Sequence, residues 1–322
     1  FFILSLNPTL ALNSSAIGYE VPCTSLMTIS IAALMKHQRI YKAKPRIITR
    51  ETILASASLA LATFMQPRTA LLALGILMPF AWMCYTKKMA IYFLAFTVGV
   101  IAVAPASLIV RNVIAKNPAT ISTNLGVTMN IGAGPNSNGG YTNRATGVPC
   151  NQTSEDLSRR DRQLVSCVIT WYIKNPSQAF HLFWNKLNFH WSPWFGPLAN
   201  GTMARSPWLD YHPLKGMLET TSGEKFINGK IGKTLSWLWQ VSSMALLVFG
   251  FIAMRRLDGI AEVYSWCLFL PSILNTLSSM ATIGDNRFRV PTLMLSLQLQ
   301  LFGIAYLAMR KSFRAKSQES AK

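Results

Sequence analysis

The chain has 322 residues, 51% of them apolar and only 13% charged, with a formal net charge of +19. Soluble domains average roughly 25% charged residues, and repeated apolar runs of about 20 residues set this chain apart as a polytopic membrane protein. The charge is not a nucleic-acid footprint, because the basic residues gather in short loops between apolar runs, as the positive-inside rule predicts.

The sequence opens at Phe1 inside an apolar run, without a Met or a basic leader region, and reads as a fragment whose amino-terminal part is missing. Phe1–Ala16 is the expected end of one spanning helix and Gly18–Met35 a second. KHQRIYKAKPRIITR follows, with six Lys/Arg between Lys36 and Arg50, and reads as a cytoplasmic loop. Spans are expected at Thr52–Met65 and Thr69–Tyr85, turning at Gln66, Pro67 and Arg68 on the opposite face. Lys87 and Lys88 return the chain to the cytoplasm, and a span over Met89–Val110 delivers Arg111 outside.

Residues 111–234 then form the one long polar interval, a large mixed extracytoplasmic loop domain. Its GAGPNSNGGY stretch, Gly132–Tyr141, lacks the third small residue of a GxGxxG fingerprint and opens no apolar helix, so it reads as successive turns. Cys150 and Cys167 either bridge, on an oxidising face, or remain two thiols. Cys23, Cys84 and Cys267 read as packing residues. Asn175-Pro176 looks like an N-cap followed by Pro at the first helical position. Around it, Leu164, Val168, Trp171 and Tyr172, then Phe180, Phe183, Trp184, Leu187 and Trp191, recur at helical spacing. Two such amphipathic helices suit a membrane interface, or else pack on the domain's own core. His181, His190 and His212 are too dispersed to argue for a metal. No cofactor is predicted, and a divalent metal stays open.

Three more spans are expected, at Leu235–Met254, Ile260–Ala281 and Val290–Met309, before a basic cytoplasmic tail over 310–322. The organisation is thus a bundle of about five spans over 1–110, the loop domain, three helices over 235–309, and the tail. GDNRFR, before the last span, is the exception to the charge rule. There Asp285 either pairs with an arginine and caps a helix, or Arg287 and Arg289 form a phosphate site, since a guanidinium fork binds phosphate oxygens bidentately.

Several stretches resemble one family. ISTNLGVTMNIGAGPNSNGGY is similar, at Gly126, Asn130, Gly132, Pro135, Gly139, Gly140 and Tyr141, to a segment of bacterial membrane glycosyltransferases of the dolichyl-phosphate-mannose–protein mannosyltransferase type, glycosyltransferase family 39. WYIKNPSQAFHLFWNKLNFHW resembles a helix of the same family at Tyr172, Ile173, Pro176, Phe180, Lys186 and Trp191, and GDNRFRVP resembles its G-D-x-R-Y-R-x-P. Gln66-Pro67-Arg68 and Arg111-Asn112 resemble its R-P turn and R-N span end, so the likeness runs from Gly18 to Met309.

The resemblance implies an all-α GT-C bundle in the bacterial inner membrane. Its activity would move a hexose or mannose from a polyprenyl-phosphate-sugar donor to a protein, lipid or glycan acceptor outside the cell. It implies donor phosphate contacts at Arg287 and Arg289, then Arg68 and Arg111, and a substrate pocket near Glu20, Asn130, Tyr141 and Lys186. Glu20 equally suits a helix N-terminus through the dipole. The family's acidic base belongs to a loop ahead of Phe1, so the catalytic base is unknown and the fragment alone is expected to be inactive. The alternatives are a transporter or flippase of a lipid-linked saccharide, which would show ionisable or broken helices at mid-membrane, and a non-catalytic envelope-assembly protein.

Overall fold

Apolar segments in lipid must pair their own backbone groups, and helices do so within a single segment. The computed structural model describes residues 20–122, 124–140, 147–150, 154–192, 229–257 and 259–319, with side chains for all of these except 286–287 and 309–319. Among the described residues all regular structure is helical. The elements are α1 (Glu20–Ala43), α2 (Arg50–Met65), α3 (Thr69–Cys84), α4 (Lys87–Ile114), α5 (Leu125–Ile131), α6 (Leu157–Lys174), α7 (Pro176–Trp191), α8 (Lys230–Arg255), α9 (Ile260–Ala281), a 3-10 turn (Asn286–Arg289) and α10 (Val290–Glu319).

α1–α4 and α8–α10 fall on seven of the expected spans, and the eighth, Phe1–Ala16, lies outside the described residues. Only four of these helices, α4, α8, α9 and α10 up to Ala308, are long and apolar enough to cross a membrane. The described residues thus make a helical membrane protein with four such helices. α1 carries Lys36, Arg39 and Lys42 in its last third, while α2 and α3 have only 16 residues each. At 1.5 Å per residue those two are about 24 Å long. α2 starts before the expected Thr52 because Thr49 and Thr52 form a capping box, each hydroxyl accepting from the other's backbone N–H.

Small residues set the closest crossings. A Cβ on Gly75 would lie 2.8 Å from Leu274 and 3.3 Å from the backbone nitrogen of Pro271, so α3 and α9 meet where Pro271 interrupts α9. A Cβ on Gly250 would lie 1.9 Å from the Leu299 carbonyl oxygen, with Gly303 opposite, so α8 and α10 cross backbone to backbone. The core includes Leu34, Leu72, Phe80 and Phe93 with Leu268 and Leu299. Outward-facing Trp82 and Val103 are 78% and 65% exposed, an apolar belt of the kind lipid covers.

The helices alternate in direction through short connectors, which brings the start of α1, the α2–α3 turn, the end of α9 and the start of α10 to one face. Contacts confirm the grouping: Thr24 Oγ1 donates to the Val290 carbonyl and Arg68 Nη2 to the Phe288 carbonyl at 3.1 Å. α7 packs across this face against α9 and the 3-10 turn, and its Trp191 joins the bundle core. α5 and α6 make a satellite core of Met129, Ala133, Val148 and Val168, closed by a Cys150–Cys167 disulfide. The described residues of this interval are thus helices and turns. Asn175 is the N-cap residue of α7 with Pro176 in its first turn, as expected; its side chain caps nothing in α7, and its Nδ2 instead donates to the Trp171 carbonyl and so finishes α6.

Candidate functional site

α7 buries an unusual stripe. Leu182, Lys186 and His190 recur every four residues and so share one helix face, and all three are buried. The opposite face shows Phe180 and Trp184, 72% and 52% exposed, the apolar surface expected of an interfacial helix. Two polar side chains, Lys186 and His190, are therefore buried among Ala179, Leu182 and Trp191, while Phe180 and Trp184 face away from the bundle.

Glycines let the backbones close on Lys186. A Cβ on Gly284 would come within 2.5 Å of the Lys186 Cα, and one on Gly139 within 3.0 Å of its Cγ. Gly139 adopts φ +89°, a conformation that glycine enters without strain, and its carbonyl accepts from the Gly284 N–H at 3.0 Å. Inside this collar the Lys186 ammonium donates to Tyr172 Oη and to the Thr282 carbonyl, both at 2.8 Å, and lies 5.3 Å from the centre of the Tyr172 ring. No carboxylate among the described residues pairs with it. Burial pushes Lys186 from 10.5 down to about 7 and the Tyr172 phenol up to about 12.

Beside it sit two arginines. Asn275 Nδ2 donates to the Phe288 carbonyl at 2.7 Å and fixes the 3-10 turn, while Arg68, half-buried, reaches the same carbonyl and covers the Phe288 ring at 4.7 Å. Arg289 is only 7% exposed. Its guanidinium carbon lies 4.4 Å above the centre of the Trp191 ring, and Nη1 donates a long 3.5 Å bond to the Trp191 carbonyl. No carboxylate among the described residues forms an ion pair with it, and burial pushes it down to about 10. His190 is fully buried and held well below its ordinary range, first by burial and then by the charges of Arg289 and Arg68.

Arg68, Arg289 and Lys186 thus share the face expected of them. Glu20, 3% exposed, is buried in the first turn of α1 on that face, and Asp285 is buried at the head of the 3-10 turn. The Arg287 side chain and Tyr141 lie outside the described residues. Asn130 is placed in the satellite core, where its Oδ1 accepts from Val148 N at 2.7 Å and fastens the chain on the way to Cys150. Arg111 is exposed, bonds to the neighbouring Asn112 Oδ1 at 3.0 Å, and lines a separate open pocket with Thr120 and Asn124. Among the described residues no group of three or more His, Cys, Asp or Glu is placed to hold a metal. Sequence reasoning missed His190 as part of this corner; the signal was its four-residue spacing from Lys186.

The Lys186 burial has a pH signature. The folded chain releases this proton near pH 7, whereas an unfolded lysine holds it to about pH 10.4. Between those values the unfolded state binds more protons, so stability rises with pH across the window and sits at its lower level below about pH 7. The apparent Tm of the detergent-solubilised chain is expected to climb by several degrees from pH 7 towards pH 10, and Lys186→Met is expected to flatten the climb. A profile identical in the variant would remove Lys186 as its source.

Comparison of the chain with protein-family models, with curated proteins and with solved structures finds no match.

Proposed function

We propose that this chain is a membrane glycosyltransferase of the GT-C type, moving a sugar from a polyprenyl-phosphate donor to an acceptor hydroxyl on the extracytoplasmic face of a bacterial inner membrane. The observation that carries the reading is Arg289, a buried cation at the membrane edge with no carboxylate paired to it among the described residues. Arg68, from the α2–α3 turn, reaches across to the same 3-10 turn at the Phe288 carbonyl. Such a corner suits a phosphate whose negative charge grows as the sugar leaves. Its position beneath an interfacial helix suits a donor that arrives within the bilayer.

The Cys150–Cys167 disulfide supports the orientation. Disulfides persist on the oxidising side of a membrane, and this one belongs to the interval that the basic loops also assign to the outside.

In the reaction the acceptor oxygen forms the new bond to the anomeric carbon as the bond to the phosphate oxygen breaks, with inversion. The acceptor proton goes to a base, and polyprenyl phosphate leaves with the electron pair. Arg287 and Arg289 would bind the leaving phosphate, with Arg68 at its edge. Lys186 holds α7 onto the end of α9 and so keeps the roof of the site in place.

The test is reconstitution of the full-length protein in liposomes with a radiolabelled polyprenyl-phosphate mannose and a hydroxylated peptide, lipid or glycan acceptor. Label is expected to pass to an acceptor as polyprenyl phosphate is released, and Arg287→Ala is expected to abolish transfer while membrane insertion survives. Movement of intact donor between leaflets without transfer would replace the proposal with a flippase.

A further inference from the structure

Buried polar atoms in folded proteins almost always have a hydrogen-bond partner, and those that lack one call for an explanation. Three side chains at one corner, Arg289, Trp191 and His190, break the rule together. Among the described residues Arg289 Nε, Trp191 Nε1 and both ring nitrogens of His190 are buried without a hydrogen bond of normal geometry, with the Asp285 backbone close enough to the imidazole to favour its protonation slightly. The residues are 7%, 2% and 0% exposed. They are neighbours: the guanidinium lies 4.4 Å over the Trp191 ring, and the His190 and Trp191 ring centres are 6.1 Å apart.

Most of the orphaned atoms are donors, the exception being the acceptor nitrogen of a neutral His190. The Arg289 and Trp191 nitrogens only donate, and a neutral imidazole contributes one further N–H. The bond from Nη1 to the Trp191 carbonyl leaves the Nε–Nη2 edge of the guanidinium without a hydrogen bond among the described residues. That edge is the two-pronged face that binds phosphate or carboxylate oxygens. A water would satisfy two donors and compensate no charge. A group with several acceptor oxygens and a negative charge satisfies the N–H donors of all three side chains and compensates the charge of the guanidinium.

We infer that Trp191 Nε1 and His190 complete, with Arg289, a three-sided seat for the oxygens of a phosphoryl group. The inference deepens the proposed function and rests on its placement of the donor phosphate beside Arg289; what it adds is two ligands contributed by α7. In this arrangement the roof of the site, and not only the bundle below it, holds the phosphate. The indole stacks on the guanidinium and aligns it while its own N–H reaches the same oxygens.

Single-atom changes separate the roles. Trp191→Phe keeps a ring over Arg289 and deletes the indole N–H; His190→Phe keeps a buried ring and deletes the imidazole nitrogens. Binding is measured with the full chain in nanodiscs, using farnesyl phosphate and inorganic phosphate as probes. Wild-type protein is expected to bind farnesyl phosphate, and each variant to bind it about ten- to a hundredfold more weakly, the range of a hydrogen bond to a charged group. The Tm of His190→Phe should stay close to the wild-type value, because the ring volume is kept and the deleted nitrogens lack a hydrogen bond of normal geometry among the described residues, while Trp191→Phe gives up core volume and should melt somewhat lower. Inorganic phosphate bound as tightly, with the same losses, would also support the seat and identify free phosphate as its occupant.

Two results would overturn it, and they differ. Wild-type binding with both variants within twofold of it would leave a phosphate site on Arg289 and remove Trp191 and His190. No binding of either probe by wild-type protein would remove the phosphate site itself, and with it the observation on which the proposed function stands. If Trp191→Phe does not fold, the His190→Phe isotherm decides alone.

Discussion

Arg289→Met is expected to lower sugar transfer by about a hundredfold to a thousandfold, the range for removing one preorganised donor from a developing oxyanion, and to leave the Tm unchanged or raised. The two effects have one cause. A guanidinium that is 7% exposed, with a single 3.5 Å bond to a carbonyl and no carboxylate among the described residues, has lost much of its hydration for little in return. Methionine fills most of its volume, keeps a sulfur–aromatic contact with Trp191, and removes the charge. Initial rates in liposomes and a thermal melt on the same preparation read both effects. Retained turnover would take Arg289 out of the donor site, and a fall of many degrees in Tm would make its role structural.

Gly250→Ala carries the largest expected cost to stability. The added Cβ meets the Leu299 carbonyl oxygen at 1.9 Å, and a backbone atom inside α10 has no rotamer by which to retreat. The α8–α10 crossing must open by more than an ångström, which forfeits close packing along both helices at a cost of about 1–3 kcal/mol or more. Gly303→Ala, whose Cβ meets backbone at 3.2 Å, is expected to cost less, and Gly99→Ala, with nothing within 4 Å, is expected to be neutral or mildly stabilising. Thermal melts of the three variants should rank in that order. Equal melts for Gly250→Ala and Gly99→Ala would show that the crossing tolerates separation.

The order of these effects explains what was legible in the chain beforehand. Span positions were readable because lipid imposes a local rule on every segment, and α1–α4 and α8–α10 fall where apolar runs and basic loops put them. Their lengths were less legible: α2 and α3 are apolar but only 16 residues long, and hydropathy alone does not weigh length against bilayer thickness. Arg68 and Arg289 were legible as cations out of place at span ends. His190 was not, because its burial depends on α7 laying that face on α9 and the 3-10 turn, a tertiary fact. Asn130 shows the same limit. The family resemblance implied a pocket role for it, and the structure gives it a partner no local pattern foretells, the backbone of Val148, 18 residues later. Which of the two offers Cys150 and Cys167 would take was likewise decided by the packing of α6 on the Val148 strand of chain.

The 16-residue length of α2 and α3 bears on how a lipid would meet this protein. A hydrocarbon core about 30 Å thick exceeds the pair's length by roughly 6 Å. Arg50, at the start of α2, and Lys87 and Lys88, just after α3, anchor one end of the pair in the headgroups. The deficit then collects at the other end, around Pro67 and Arg68, where hydrophobic mismatch draws the leaflet inward. A dimple in the bilayer beside the arginines would bring passing headgroups down to the cations, so that a long-chain lipid phosphate meets its site without withdrawing its tail from the membrane.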